Sequence, residues 1–280
     1  MTDSYEYYGT FDSDAKEEID LDEQVRDWLW TTDLMIEFVS SHKRDILESF
    51  LKRVETKYSN EVNETSSTIN ECLLGILDDT SILTSHSRLK ELSLRIIMKY
   101  IPLDGITLTE EKIPVRFVDF LRAKHILLYH RITSLVELLG RKEGIDFFKD
   151  FVQYWGSEVG KTKSWPTTLK EARVQFVKYW KESGGFDFGV RDIDENMFLA
   201  KFDKCVWFES MKHIDDQELA YYAVCYPGPR IGRYAHQNIR MRRSITLFTG
   251  DFCDELRWDR HVHDEPEQPT HEFSRGIVPK

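Results

Sequence analysis

The sequence predicts an α+β fold, in which a helix-rich N-terminal two thirds packs on a small antiparallel sheet formed by the C-terminal third. Two observations lead to this prediction. From residue 21 to residue 185, apolar side chains recur at intervals of three and four, which is the period of an amphipathic helix. After Gly189 the chain changes to segments rich in β-branched and aromatic residues, such as Met197–Val206, which favour strands.

Several of the predicted helices have recognisable ends. Pro114 is expected to open a long helix that stops at Gly140, because proline fits a first helical turn and glycine readily adopts the left-handed conformation that ends one. Thr168 and Glu171 form a capping-box pattern at the start of a later helix, which is expected to end at Gly184.

Composition bounds the folded part. With 280 residues and 41% hydrophobic content the chain can bury a substantial core. We expect a single domain over residues 21–258, helical over 21–185 and sheet-containing over 190–258. Residues 1–20 are acidic and short of aliphatic side chains, so disorder is expected there, and the proline-containing residues 259–280 are expected to form a flexible tail.

Charge and cysteine content exclude several classes of partner. A net charge of -11 argues against nucleic acid or an anionic membrane surface, both of which attract clustered Lys and Arg. No apolar run approaches the roughly 18 to 20 residues needed to cross a bilayer. Four cysteines are too few for a disulfide scaffold, and the N-terminus lacks the pattern of a signal peptide. We therefore expect a cytoplasmic protein that acts on a small-molecule substrate, and a homo-oligomer is compatible with the sequence.

The clearest local prediction is a hairpin with strands over Arg240–Thr249 and Phe252–Trp258 around a tight turn at Gly250-Asp251. Side chains alternate along strands, so this register assigns two faces. One face would carry an apolar set with one Arg and one Asp: Arg243, Ile245, Leu247, Phe252, Asp254, Leu256 and Trp258. The other would be mostly polar: Ser244, Thr246, Phe248, Cys253, Glu255 and Arg257.

The hairpin also carries a recognisable motif. The string from Arg243 to Asp254 reads Arg-Ser-Ile-Thr-Leu-Phe-Thr-Gly-Asp-Phe-Cys-Asp, and Cys205 and Cys225 precede it. This set resembles the closing signature of the L-2-amino-thiazoline-4-carboxylic acid hydrolase family, most sharply over residues 198–258. The resemblance implies hydrolysis at a cyclic C=N bond without a cofactor, in which water adds to the amidine-like carbon and the ring opens to an N-carbamoyl amino acid.

Such chemistry needs an attacking group, a proton carrier and a cation for the substrate carboxylate. Cys253 is the candidate nucleophile, with Asp251 or Asp254 as proton carrier. Arg243 or Arg257 is the candidate for holding the carboxylate. The remaining candidates would line the substrate pocket: Thr246, Cys225, Trp207 and Trp258. Because the predicted register puts Cys253 and Asp254 on opposite faces, both could serve one site only if a bulge re-aimed the strand.

Other interpretations stay open. The chain departs from the family pattern at Gly228 and Glu255, where the family places an Asp and an aromatic residue. A cyclase or isomerase of secondary metabolism would fit the absence of an Asp at Gly228, and it predicts an apolar cavity. A non-catalytic small-ligand carrier predicts a buried, inert Cys253, whereas an enzyme predicts a thiol of depressed pKa. The spacing of the cysteines and histidines matches no metal-binding pattern, so no metal is expected.

Overall fold

A computed structural model of the chain describes residues 5–62, 71–79, 81–101, 112–162 and 168–279. It divides into two compact units. Unit 1 comprises Met1–Ala15 and Gly156–Lys280, and unit 2 comprises Lys16–Trp155. The expectation of one domain over 21–258 is not tested by this division and stays a prediction.

The elements confirm an α+β fold. In chain order the helices are α1 (Leu21–His42), α2 (Leu47–Val62), α3 (Glu71–Asp78), α4 (Ser87–Tyr100), α5 (Phe117–Leu139), α6 (Arg141–Thr162), α7 (Leu169–Glu182), α8 (Val206–Met211), α9 (Gln217–Val224), α10 (Pro227–Ala235) and α11 (His271–Arg275). The strands are β1 (Glu6–Gly9), β2 (Lys16–Ile19), β3 (Ile113–Arg116), β4 (Phe186–Asp194), β5 (Met197–Cys205), β6 (Ile239–Arg242) and β7 (Cys253–Asp259). Within the described part of the chain, none of the helices is both long and apolar enough to span a membrane.

The predicted helix ends are mostly confirmed. Thr168 and Glu171 form the expected capping box at the start of α7. Gly140 ends α5 and Gly184 follows α7, both with positive φ angles of 83° and 65°. The role expected of Pro114 is wrong: it lies in β3 opposite Glu18, and α5 begins at Phe117. A two-stranded sheet tolerates proline because each of its strands has one edge with no neighbouring strand, where no backbone N–H is needed for pairing.

Unit 2 buries the apolar faces of its helices, and a partly buried polar network connects three of them. Glu61 on α2 lies 2.7 Å from Lys99 Nζ and 2.6 Å from the Tyr100 hydroxyl, both on α4, and 3.0 Å from His130 Nε2 on α5. Hydrogen bonds from His130, Lys99 and Tyr100 outweigh burial and hold the pKa of Glu61 well below its usual value. The Glu61 carboxylate is therefore ionised, and it links helices α2, α4 and α5.

We expect Glu61→Gln to lower the free energy of unfolding at pH 7 by about 1–3 kcal/mol, because charge-assisted hydrogen bonds are lost. A carboxylate with a depressed folded pKa stabilises the fold above its unfolded pKa, near 4.5, and loses that contribution as the pH falls below it. The deficit of the variant should therefore shrink between pH 6 and roughly pH 3 in urea titrations. Glu55→Gln on the same helix is the control, and an equal deficit for both variants would contradict this assignment.

Unit 1 is built on a five-stranded antiparallel sheet in the order β1-β4-β5-β7-β6. Side chains on one face, which we call the cavity face, include Phe202, Cys253, Glu255 and Arg257. The opposite face, which we call the far face, carries a buried apolar cluster: Leu199, Leu256, Trp258 and Ile277.

The described residues of both end segments include regular secondary structure. In unit 1, β1 pairs with β4, and Tyr7 packs against the far-face cluster. In unit 2, β2 pairs with β3. At the other end, α11 is followed by Ile277, which is completely buried on the far face. A few aromatic and aliphatic side chains, such as Tyr7 and Ile277, anchor these polar segments. Composition alone did not reveal this anchoring.

The predicted hairpin is present, but its turn and register differ. Arg240, rather than Arg243, lies opposite Trp258, and residues 243–252 form a loop between β6 and β7. The Thr246 carbonyl accepts hydrogen bonds from the backbone N–H groups of Thr249 and Gly250, both at 2.8 Å. The chain therefore turns several residues before Gly250-Asp251. This shift by an odd number of residues moves Arg243 to the cavity face.

Candidate active site

Unit 1 contains a cavity of about 110 Å³. Its volume lies below the roughly 300–1,000 Å³ of pockets for drug-sized ligands, which favours a small one. Aromatic side chains form half of the lining: Phe176, Tyr179, Trp180, Phe186, Phe202 and Trp207. The polar part of the lining consists of three thiols and three charged groups: Cys205, Cys225, Cys253, Arg243, Glu255 and Arg257.

The charged groups form one buried cluster centred on Glu255. Arg243 donates to Glu255 Oε2 from Nη2 at 2.6 Å, and Arg257 donates to Glu255 Oε1 from Nε at 2.6 Å. The side chains of Glu255, Arg257 and Arg243 are only 2%, 9% and 11% exposed. Two guanidinium groups face a single carboxylate, so the cluster carries one positive charge in excess. Burying an uncompensated charge is costly, which makes this cavity a favourable place for an anion.

Local charges keep the cluster ionised. Burial opposes ionisation of Glu255, but the guanidinium groups of Arg257 and Arg243 together outweigh it and hold the pKa of Glu255 below its usual value. Arginine does not lose its proton in proteins under ordinary conditions. Glu255 is therefore a fixed counter-charge, and its low pKa makes it a weak proton acceptor.

Arg257 has more hydrogen-bond donors left for a ligand than Arg243 has. Its plane lies on the ring of Phe176, with 3.6 Å between Cζ and the ring centroid. Nε and Nη2 both point to Glu255, and none of the described residues accepts a hydrogen bond from Nη1. Arg243, by contrast, also donates from Nη1 to the Cys225 carbonyl at 3.1 Å. A ligand carboxylate would find its free donors chiefly on Arg257.

The three thiols of the cavity are buried and protonated. Burial raises the pKa of Cys205, raises that of Cys225 to about 12, and raises that of Cys253 well above its usual value. Arg243 lowers each of these pKa values, but burial outweighs it. Cys253 Sγ also accepts a hydrogen bond from the Leu247 backbone N–H at 3.1 Å. The expectation of a depressed Cys253 pKa is therefore not met.

The cavity brings together part of the predicted set of site residues. Five of them line it: Arg243, Arg257, Cys225, Cys253 and Trp207. Asp251 is exposed instead and pairs with Arg275 at 3.1 Å. Asp254 and Trp258 lie on the far face, because they alternate with Cys253 and Arg257 along β7. Thr246 contributes its carbonyl to the turn and does not line the cavity.

Sequence reasoning missed Glu255 as a site residue, although it placed this side chain on the face of Cys253 and Arg257. Alternation along the predicted strand was the signal that could have found it. It also missed Phe176 and Trp180 of α7, which are four residues apart and share one side of that helix. Among the described residues, no group of three or more His, Cys, Asp or Glu side chains is arranged to hold a metal ion.

Comparison with known proteins identifies the region that carries the cavity. Residues 121–258 match the model of the L-2-amino-thiazoline-4-carboxylic acid hydrolase family. This part of the chain belongs to that family. All the cavity-lining residues, from Phe176 to Arg257, fall within the hydrolase-family match. Neither the curated proteins nor the solved structures gave a match to the chain.

Proposed function

We propose that unit 1 is a small-molecule hydrolase that acts at the C=N carbon of a carboxylate-bearing substrate of the 2-aminothiazoline-4-carboxylate type. The observation that carries this proposal is the excess positive charge of the Arg243–Glu255–Arg257 cluster beside Cys253, in a cavity within the hydrolase-family region. The charge suits a carboxylate, and the thiol supplies a nucleophile.

The substrate carboxylate would bind to Arg257 Nη1 and offset the excess charge. A charge-assisted hydrogen bond from this fixed nitrogen restricts the orientation of the bound carboxylate. The aromatic wall, with Phe176 and Trp180, would then hold the ring in contact with the thiols. Binding through the carboxylate thus orients the reacting carbon, which lowers the entropic part of the barrier.

Cys253 would become the nucleophile only with substrate present. The amidine-like group of such a substrate binds a proton readily, and a cation beside a thiol favours the thiolate. Sγ then forms a bond to the C=N carbon, and the bond between that carbon and the ring sulfur breaks. The ring sulfur takes up the proton that the Cys253 thiol has lost. Water next adds to the same carbon, Sγ leaves with a proton, and the product is an N-carbamoyl amino acid. One water is consumed.

A non-catalytic carrier of the same small carboxylates is the second candidate function. It is favoured by the burial of Cys253 and by the raised pKa of its thiol. The cyclase or isomerase alternative has less support, because it predicts an apolar cavity and this one contains three charged side chains.

Incubation with 2-aminothiazoline-4-carboxylate, followed by mass spectrometry of the ring-opened product, tests the hydrolase. We expect turnover by the parent and a loss of at least about a thousandfold in Cys253→Ser, the usual scale for a removed nucleophile. Cys72→Ser in α3, outside unit 1, is the control and should keep full activity. A covalent adduct on the Cys253 peptide should be trapped by rapid acid quenching.

The outcomes separate the two candidates. Saturable binding without turnover by the parent would support the carrier, and absence of both would contradict each of them. Turnover that survives in a folded Cys253→Ser protein would show that this thiol is not the nucleophile.

A further inference from the structure

Asp254 lies on the far face, its carboxylate accepts four hydrogen bonds, and the proposed chemistry does not use it. It is 0% exposed. Its Oδ1 accepts from the backbone N–H groups of Ser244 at 2.6 Å and Ile245 at 3.0 Å. Its Oδ2 accepts from the Ser244 hydroxyl and from Gln268 Nε2, the latter at 2.8 Å.

These bonds hold the part of the chain that follows Arg243. Asp254 holds the peptide units of Ser244 and Ile245 on the far face, while the next residue of β7, Glu255, holds the Arg243 side chain on the cavity face. The Ile245 carbonyl also accepts from the Asp254 backbone N–H at 3.1 Å. Two consecutive carboxylates thus fix the backbone and the side chain at the start of the 243–252 loop.

Gln268 extends this arrangement to residues 266–277, which we call the C-terminal segment. Its Oε1 accepts from Arg242 Nε at 3.1 Å, while its Nε2 donates to Asp254. Arg242 also donates to the Pro266 carbonyl. Gln268 therefore connects the residue before Arg243 with the carboxylate that holds the residue after it.

The same C-terminal segment is anchored at its end by Ile277. A Cβ on Gly189 would lie 2.2 Å from Ile277 Cγ2, so the absence of a side chain at Gly189 makes room for Ile277. Lys201 Nζ donates to the Ile277 carbonyl at 2.9 Å. Attachments at Gln268 and at Ile277 thus help to hold this segment to the far face of the sheet.

We infer that Asp254 and Gln268 are positioning residues, which place Arg243 in the cavity through the 243–252 loop. Through Gln268, the C-terminal segment then contributes to the geometry of the site. Neither side chain touches the cavity, so both act through the loop. The inference rests on the proposed function only where ligand affinity is measured. The position of the loop can be measured independently, because the backbone N–H of Leu247 in this loop donates a hydrogen bond to Cys253 Sγ.

The test compares full-length parent, Gln268→Ala and the exposed control Gln237→Ala. Loss of a hydrogen bond to a buried carboxylate should loosen the loop, so alkylation of Cys253 by iodoacetamide, read by peptide mass spectrometry, should be about tenfold faster in Gln268→Ala. With 2-aminothiazoline-4-carboxylate as substrate, KM should rise about five- to tenfold while kcat changes less. The control should match the parent in both.

A double variant makes the test specific to this contact. Asp254→Asn combined with Gln268→Glu exchanges amide and carboxylate, so a hydrogen bond between the two positions and an acceptor for Arg242 are both retained. It should bring the alkylation rate of Cys253 back within about threefold of the parent, whereas Asp254→Asn alone should not. Equal alkylation rates in Gln268→Ala and Gln237→Ala, or a double variant no better than Asp254→Asn, would overturn the inference. The alkylation results decide this even if the parent turns over no thiazoline.

Discussion

Glu255→Gln should destabilise unit 1 by about 3–5 kcal/mol, because it leaves two buried guanidinium groups without a counter-charge. The substitution keeps the size of the side chain, so little of this loss can come from packing. The measurement is urea unfolding at pH 7, followed by the fluorescence of the tryptophans. Glu209→Gln removes a carboxylate whose partner, Lys212, is more than half exposed, and should cost at most about 1 kcal/mol.

Added carboxylate should partly rescue this variant. In Glu255→Gln the cavity has two positive charges to offset, so acetate or formate at high concentration should raise its Tm more than that of the parent. Sodium chloride at equal ionic strength separates specific binding from screening. A variant as stable as the parent, with no response to carboxylate, would show that the Arg243–Glu255–Arg257 cluster is not the buried charge centre described above.

Arg257→Met should weaken binding of 2-aminothiazoline-4-carboxylate by about a hundredfold or more, since loss of a buried charged partner costs about 2–5 kcal/mol. Methionine can keep much of the contact with Phe176, so the ring wall should persist. The corresponding carboxamide, which has no charge to pair, should lose far less affinity. Arg173→Met on α7 is the matched control, because Arg173 pairs with Asp192 and Glu6 and does not line the cavity.

The outcome of these titrations is specific to the role of Arg257. An equal loss of affinity for the carboxylate and the carboxamide would indicate a collapsed cavity rather than a lost ion pair. A loss of the same size in Arg173→Met would point to a general effect of charge. Circular dichroism of each variant shows whether the fold has survived.

Local signals in the sequence predicted those parts of the fold that depend on local chemistry. The capping box of Thr168 and Glu171 and the positive φ of Gly140 each depend on a few consecutive residues, and both were predicted. The alternation that puts Cys253 and Arg257 on one face of β7 is equally local.

The parts that sequence reasoning missed depend on contacts between residues that are not adjacent in the sequence. The hairpin register was wrong because the Asp254 carboxylate accepts hydrogen bonds from the N–H groups of both Ser244 and Ile245, whereas the predicted register places these residues in a strand. The cavity wall from Phe176 and Trp180 comes from a helix that precedes the sheet, and no local pattern pairs it with Glu255. Buried ion clusters of this kind are set by tertiary packing.

The central claim is that the cavity of unit 1 is a site for a small carboxylate, held by the excess positive charge around Glu255. Calorimetric titration of the parent with 2-aminothiazoline-4-carboxylate and with its carboxamide tests this most directly. We expect the carboxylate to bind at least about a hundredfold more tightly, since each factor of ten corresponds to about 1.4 kcal/mol and the pair is buried. Equal affinities for the two ligands, or binding of neither, would contradict the claim.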